Sequence, residues 1–240
     1  LSSNTARTAL LLLAALTPAL FSAGIEGTVI VKRRLSKKKV TAPASAYARG
    51  VAVELKRESA EDILDLERSR VVIYLEGKLP TRAVGAEIVQ EGRHFTPDTV
   101  AIPAGSTVTF PNHDPIFHNV FSLSKAKSFD LGNYAQNQTR SVTFSKSGVV
   151  FVHCHLHPNM TAAILVAPNA FVTIAGKDGK FEFPNVPPGD YTAVAWHRAA
   201  GFFRQPVRVT AGRAATLQFF VPLEEDQPAK SVAPTSISRR

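Results

Sequence analysis

Val150-Phe151-Val152-His153-Cys154-His155-Leu156-His157-Pro158-Asn159-Met160 is the stretch from which the fold and the chemistry of this chain are read. It contains the only Cys and the only Met of the 240 residues. Cys154, His157 and Met160 stand three positions apart and offer a thiolate, an imidazole and a thioether to one point. A second imidazole has to come from a distant strand. Pro115-Ile116-Phe117-His118-Asn119-Val120-Phe121 is the segment placed to supply it.

Working outward, residues 1–24 read as an export signal. Arg7 precedes the apolar run Ala9 to Leu16, and the small residues Ser22, Ala23 and Gly24 mark a cleavage region. An uncleaved anchor is the alternative, although the run is short of the ~20 apolar residues of a full span. The expected location is therefore periplasmic or extracellular. A single Cys excludes an intramolecular disulfide, so the thiol is buried, paired with another chain or given to a metal. Net charge is +9, from 28 Lys and Arg against 19 Asp and Glu. Much of the excess lies in residues 32–39, Lys-Arg-Arg-Leu-Ser-Lys-Lys-Lys. That run is either a solvated loop or a patch for anionic lipid, a cell-surface polymer or an acidic redox partner. Nucleic acid is not an expected partner, because no binding motif accompanies the charge.

The remaining pattern is that of short strands and turns. Strands are expected at Ile25 to Val31, Val51 to Leu55 and Arg70 to Gly77. A short helix is expected after a capping box at Ser59 and Asp62, with Ile63, Leu64 and Leu66 lining it. From Ala86 strands are expected at Glu87 to Gln90, Thr99 to Ile102, Ser106 to Phe110, His118 to Phe121, Arg140 to Phe144, Val149 to His153 and Ala162 to Val166. That spacing suits two packed antiparallel sheets. Beyond Pro168-Asn169 come Phe171 to Ala175, a Lys177-Asp178-Gly179 turn, Lys180 to Phe183, Tyr191 to Trp196, Gln205 to Thr210 and Ala214 to Val221. Residues 223–240 read as a disordered tail.

A Cys thiolate with two His and a distant Met is the donor set of a blue-copper electron-transfer site. Residues 86–167 resemble the cupredoxins, and among them amicyanin and plastocyanin. The likeness lies upstream in Phe95-Thr96-Pro97, Ile102-Pro103-Ala104-Gly105-Ser106-Thr107-Val108 and His118-Asn119-Val120, and downstream in His153-Cys154, His157-Pro158 and Met160. The resemblance implies one type 1 copper, with His118, Cys154 and His157 as strong ligands and Met160 as the weak axial one. It implies that Asn119 ties the ligand loops together and that Pro158 stiffens the loop through its fixed φ, both orienting the ligands without binding the metal. Ile116, Phe117, Leu156 and Pro158 would form an apolar rim where an electron partner docks. An inert buried Cys and a zinc site are the alternatives, and Met is a poor zinc ligand. His153-Cys154-His155 also resembles the bridge of multicopper oxidases. The further His-x-His pairs that chemistry needs are missing, so His153 and His155 read as flanking residues.

Gly176-Lys177-Asp178-Gly179-Lys180-Phe181 and Val186-Pro187-Pro188-Gly189-Asp190-Tyr191 resemble the carboxypeptidase regulatory-like family, a small transthyretin-type sandwich. Its first strands would be Ile25 to Val29 and Val71 to Leu75. The expected fold is thus all-β: a cupredoxin Greek-key β-sandwich, residues 81–167, inserted in or adjacent to a second small sandwich made of residues 25–80 and 168–222. Three consecutive units are the alternative. Proteins of this two-part kind are grouped with methylamine-utilisation proteins. The function expected is single-electron transfer without catalysis, the alternative being copper delivery or a surface interaction protein with structural copper.

Overall fold

The computed structural model describes residues 24–35 and 60–222. The leader, the end of the basic run, the strand expected at Val51 to Leu55, Ser59 and the tail lie outside the described residues. In chain order the elements are β1 (Ile25–Ile30), α1 (Ala60–Arg68), β2 (Val72–Glu76), β3 (Gly85–Glu87), β4 (Val89–Glu91), β5 (His94–Thr96), β6 (Thr99–Pro103), β7 (Ser106–Pro111) and β8 (His118–Ser124). They continue with β9 (Lys127–Tyr134), β10 (Thr139–Phe144), β11 (Gly148–His153), β12 (Thr161–Ala167), β13 (Val172–Ile174), β14 (Lys180–Phe183), β15 (Gly189–His197), β16 (Gly201–Val209) and β17 (Ala215–Phe220). Among the described residues the fold is all-β but for one short helix.

Two apolar runs explain how the sheets stack. Along β12, Ala162, Ile164 and Val166 enter one core while Ala163, Leu165 and Ala167 enter another. Along β2, Ile73 and Leu75 face one core and Val72 and Tyr74 the other. A strand covered on both faces must be apolar at successive positions, and both runs are. The result is four sheets in layers. Sheet β14-β1-β17 covers β13-β2-β15-β16, whose far face packs on β6-β12-β11-β8-β9, which in turn packs on β10-β7-β3. Among the described residues no helix is long and apolar enough to cross a membrane.

Strands from both ends of the chain share the first two sheets. β1 pairs parallel with β17 and antiparallel with β14, and β2 pairs antiparallel with β13 and β15. Between them, the chain from β6 to β12 crosses between the other two sheets in a Greek-key manner, β6 and β7, β9 and β10 lying opposite each other. The strand expected at Glu87 to Gln90 is broken at the fully buried Ile88, which separates β3 from the β4–β5 hairpin. In α1, Leu64 packs on the core, but Leu66 is exposed and Glu67 is buried in its place. The Glu67 carboxylate lies 3.1 Å from Nε2 of the buried His197, within ion-pair distance though not aligned as a hydrogen bond. Burial, foremost, lowers the His197 pKa, so its ring is held neutral.

Candidate metal centre

One end of the β6–β12 sandwich carries two loops that meet. The first joins β7 to β8 and is held from within by Asn112. Its Nδ2 donates to the carbonyls of Ile116 (2.9 Å) and Tyr134 (3.2 Å), and its Oδ1 accepts the N–H of Asp114 (3.0 Å). Asp114 is the hub. Its carboxylate accepts the backbone N–H groups of Gly92 (2.6 Å) and Arg93 (2.8 Å) and lies 2.7 Å from Nε2 of His118. Gly92 and Arg93 have φ values of 59° and 60°, the left-handed pair of a tight hairpin turn between β4 and β5. Burial pushes the Asp114 carboxyl up, but these three donors outweigh it and hold the group below its ordinary range.

The second loop joins β11 to β12. The N–H of Met160 donates to the carbonyl of His157 (2.9 Å), and the N–H of Cys154 reaches the Met160 carbonyl (3.3 Å). These bonds draw Cys154 and His157 to the same side of a short turn. Asn119, the first residue after His118, ties this loop to the first: its backbone N–H donates to Cys154 Sγ at 3.4 Å, while its side-chain amide donates to Asp130 at 2.7 Å.

Where the loops meet, His118, Cys154 and His157 converge. Nδ1 of His118 is 3.1 Å from Nδ1 of His157, and Cys154 Sγ is 3.9 Å and 3.8 Å from them. Among the described residues this is the one group of three or more such donors within 4.8 Å of one another. The point equidistant from the three atoms is about 2.1 Å from each, against about 2.0–2.1 Å for zinc–imidazole and about 2.3 Å for zinc–thiolate bonds. The triangle is therefore sized for a single ion. Burial pushes the Cys154 thiol up, but hydrogen bonds from His118, the Asn119 N–H and His157 outweigh it and bring the pKa to about 6. Burial likewise opposes charge on His118, yet Cys154 and Asp114 raise its pKa above the ordinary value. The site thus stabilises the deprotonated sulfur that a metal needs.

Met160 is fully buried in the core beside Cys154, and Pro158 is exposed on the loop. Ile116, Phe117 and Leu156 are exposed around the loops. His153 and His155 stand outside the triad. The ring of His155 lies flat on Phe121, centroids 3.7 Å apart and planes 1° from parallel, with Nε2 3.6 Å from Asp130. His153 lies against the same Phe121 ring. His94 contacts the Gly92 carbonyl, His113 is exposed, and His197 meets Glu67. The functional residue that sequence reasoning missed is Asp114. Its only signal is an acidic residue four positions before the upstream His.

Residues 167–217 match the family model described as polysaccharide lyase family 4, domain II. No curated protein matches the chain. Among solved structures, a purple cupredoxin from Nitrosopumilus maritimus is 24% identical, with 34% of this chain and 99% of that one covered and a TM-score of 0.31. Amicyanin from Paracoccus versutus is 23% identical over 40% of this chain and 97% of that one, with a TM-score of 0.33. A copper-containing nitrite reductase from Thermus scotoductus SA-01 is 22% identical over 55% of this chain but 28% of that one, with a TM-score of 0.33.

Proposed function

We propose that this chain is an exported type 1 copper protein that carries single electrons and catalyses no reaction itself. The observation that carries the reading is the triangle of His118 Nδ1, Cys154 Sγ and His157 Nδ1, closed to the size of one ion. Two imidazoles and a thiolate, with the Met160 thioether as a weak fourth donor, suit copper; structural zinc takes four strong ligands. Copper, when bound there, supplies a one-electron couple. Asp114 keeps the proton of His118 on Nε2 and so leaves Nδ1 free to ligate. Asn119 donates to the sulfur from a strand, which holds Cys154 in place whether or not its charge is shared. His118 and Cys154 are buried, so bulk water is kept from two of the three donors.

The same reading takes residues 25–80 and 168–222 as one sandwich and 81–167 as the insert, supported by the pairing of β1 and β2 with strands beyond residue 170. Residues 1–24 act as the export signal. Exposed Ile116, Phe117 and Leu156 offer the redox partner an apolar landing beside the metal loops. The basic run at 32–39 serves an acidic partner or the membrane surface.

Optical and electron spin resonance spectra of copper-loaded protein test the proposal. An intense blue or purple colour, bleached by mild reductant and restored by oxidant with copper retained, is the expected result. Colourless copper binding, or release of copper on reduction, would move the chain to the delivery class.

A further inference from the structure

A second site lies where the two sandwiches meet, at the end of the interface away from the metal. It is a pocket of about 440 Å³, a size typical of small-molecule sites, which favour domain junctions. Val149 and Leu165 line one wall, near the Gly148↔Val166 end of the β11–β12 ladder; the metal loop leaves the opposite, His153↔Thr161 end. Tyr74, Glu76, Phe202 and Arg204 line the other wall.

The chemistry of that second wall limits the ligand. Arg204 Nη2 lies 3.3 Å from Glu76 Oε1, and the Tyr74 hydroxyl donates to the same oxygen at 3.3 Å. The two charges cancel, so a charged ligand gains little net attraction. A wholly apolar ligand would strip water from the Glu76–Arg204 pair and offer it nothing in return, and desolvating an ion pair is costly even when the two charges keep each other. A hydroxyl both donates and accepts. Neighbouring ring hydroxyls can therefore give to Glu76 and accept from Arg204 together. Val149, Leu165 and the half-exposed Phe202 offer apolar surface to the C–H face of the same ring. Tyr74, pushed up to about 12 by burial and by Glu76, keeps its proton as a donor.

We propose that this pocket binds a neutral pyranose sugar through Glu76, Arg204 and Phe202.

Trp196 is the only tryptophan of the chain, and its ring centroid lies 6.3 Å from that of Phe202. Its emission therefore reports on the pocket. The full chain is titrated with maltose, with cellobiose and, as a charged comparison, with glucuronate. The expected result is a saturable change with a neutral disaccharide, its midpoint raised about tenfold or more by Phe202→Ala and by Glu76→Gln. Arg204→Gln, at a half-exposed side chain whose guanidinium lies over the Phe202 ring 5.2 Å from its centroid, should weaken binding likewise. No saturable change with either disaccharide, tighter binding of glucuronate, or unchanged midpoints in Glu76→Gln and Arg204→Gln would each overturn the proposal. The metal centre lies at the other end of the ladder, so the colour of the copper-loaded protein is expected to be the same in all three variants.

Discussion

Asp114 Oδ2 lies 2.7 Å from Nε2 of His118, and both side chains are buried. The contact assigns the ring's two nitrogens: Nε2 carries a proton towards the carboxylate, and Nδ1 faces Cys154 and His157. Asp114 is itself gripped by the Gly92–Arg93 turn, so a hairpin outside both main sheets of its sandwich sets the angle of one imidazole of the triad.

Removing that grip should loosen the metal. Asp114→Ala is expected to lower copper affinity about 10- to 100-fold, the usual cost of losing a group that orients a ligand. The chain should stay folded, because the two N–H groups released belong to a turn that water can reach. Competition against a chelator of known affinity measures the effect.

Cys154 and His155 are neighbours with different expected fates. Cys154→Ala should abolish the visible colour, because the sulfur is the donor responsible for it. His155→Ala should leave the spectrum nearly unchanged, since that ring is committed to Phe121 and Asp130. Loss of colour in the His155 variant would mean that the ligand assignment is wrong.

For the metal-free chain, three shifted groups set the pH response. Cys154, lowered to about 6, adds stability that is complete above its unfolded value and is lost as pH falls through about 6. His118, raised, adds stability that is complete below its unfolded value of 6.5 and is lost as pH rises through its folded one. Between 6.5 and that folded value the sulfur lacks one proton and the imidazole keeps one, so the two slopes cancel. His197, lowered, adds stability above 6.5 that is lost on acidification. Urea midpoints should therefore be level just above pH 6.5 and fall below it. Ultraviolet thiolate absorbance should nevertheless titrate near 6.

Gly27 sits in β1 between β14 and β17. A Cβ there would run into the Phe181 ring and lie 2.7 Å from the Leu217 carbonyl oxygen. Gly27→Ala is expected to cost about 1–3 kcal/mol, as other overpacked cores do. Urea denaturation would show it as a lower midpoint with an unchanged slope.

The cluster of His118, Cys154 and His157 was legible because its residues are rare: the one thiol and the one thioether each stand three positions from His157, which leaves few arrangements. Asp114 was hidden because its role depends on a turn 21 residues upstream, and no local pattern links them. β9 was missed for a different reason. It is an edge strand in which Lys127, Asp130 and Gly132 dilute the alternation, although Phe129 and Leu131 do reach the core. Glu67 was read past because helical periodicity assigned the inner face to Leu66. The partner that draws the carboxylate inward, His197, lies on a strand formed far later in the chain. The layering was not drawn from the sequence, although β2 and β12 are unbroken apolar runs with no face left for water.

The layer made by Val72, Tyr74, Ala163, Leu165, Val194 and Trp196 closes one broad flank of the sandwich that carries the triad. A free-standing domain of this shape could be approached from either side. Here a visiting molecule is left with the opposite flank and the tip that carries the loops. Encounters are thus sorted by direction before any surface chemistry is compared, and the second sandwich acts as a blinker on the first.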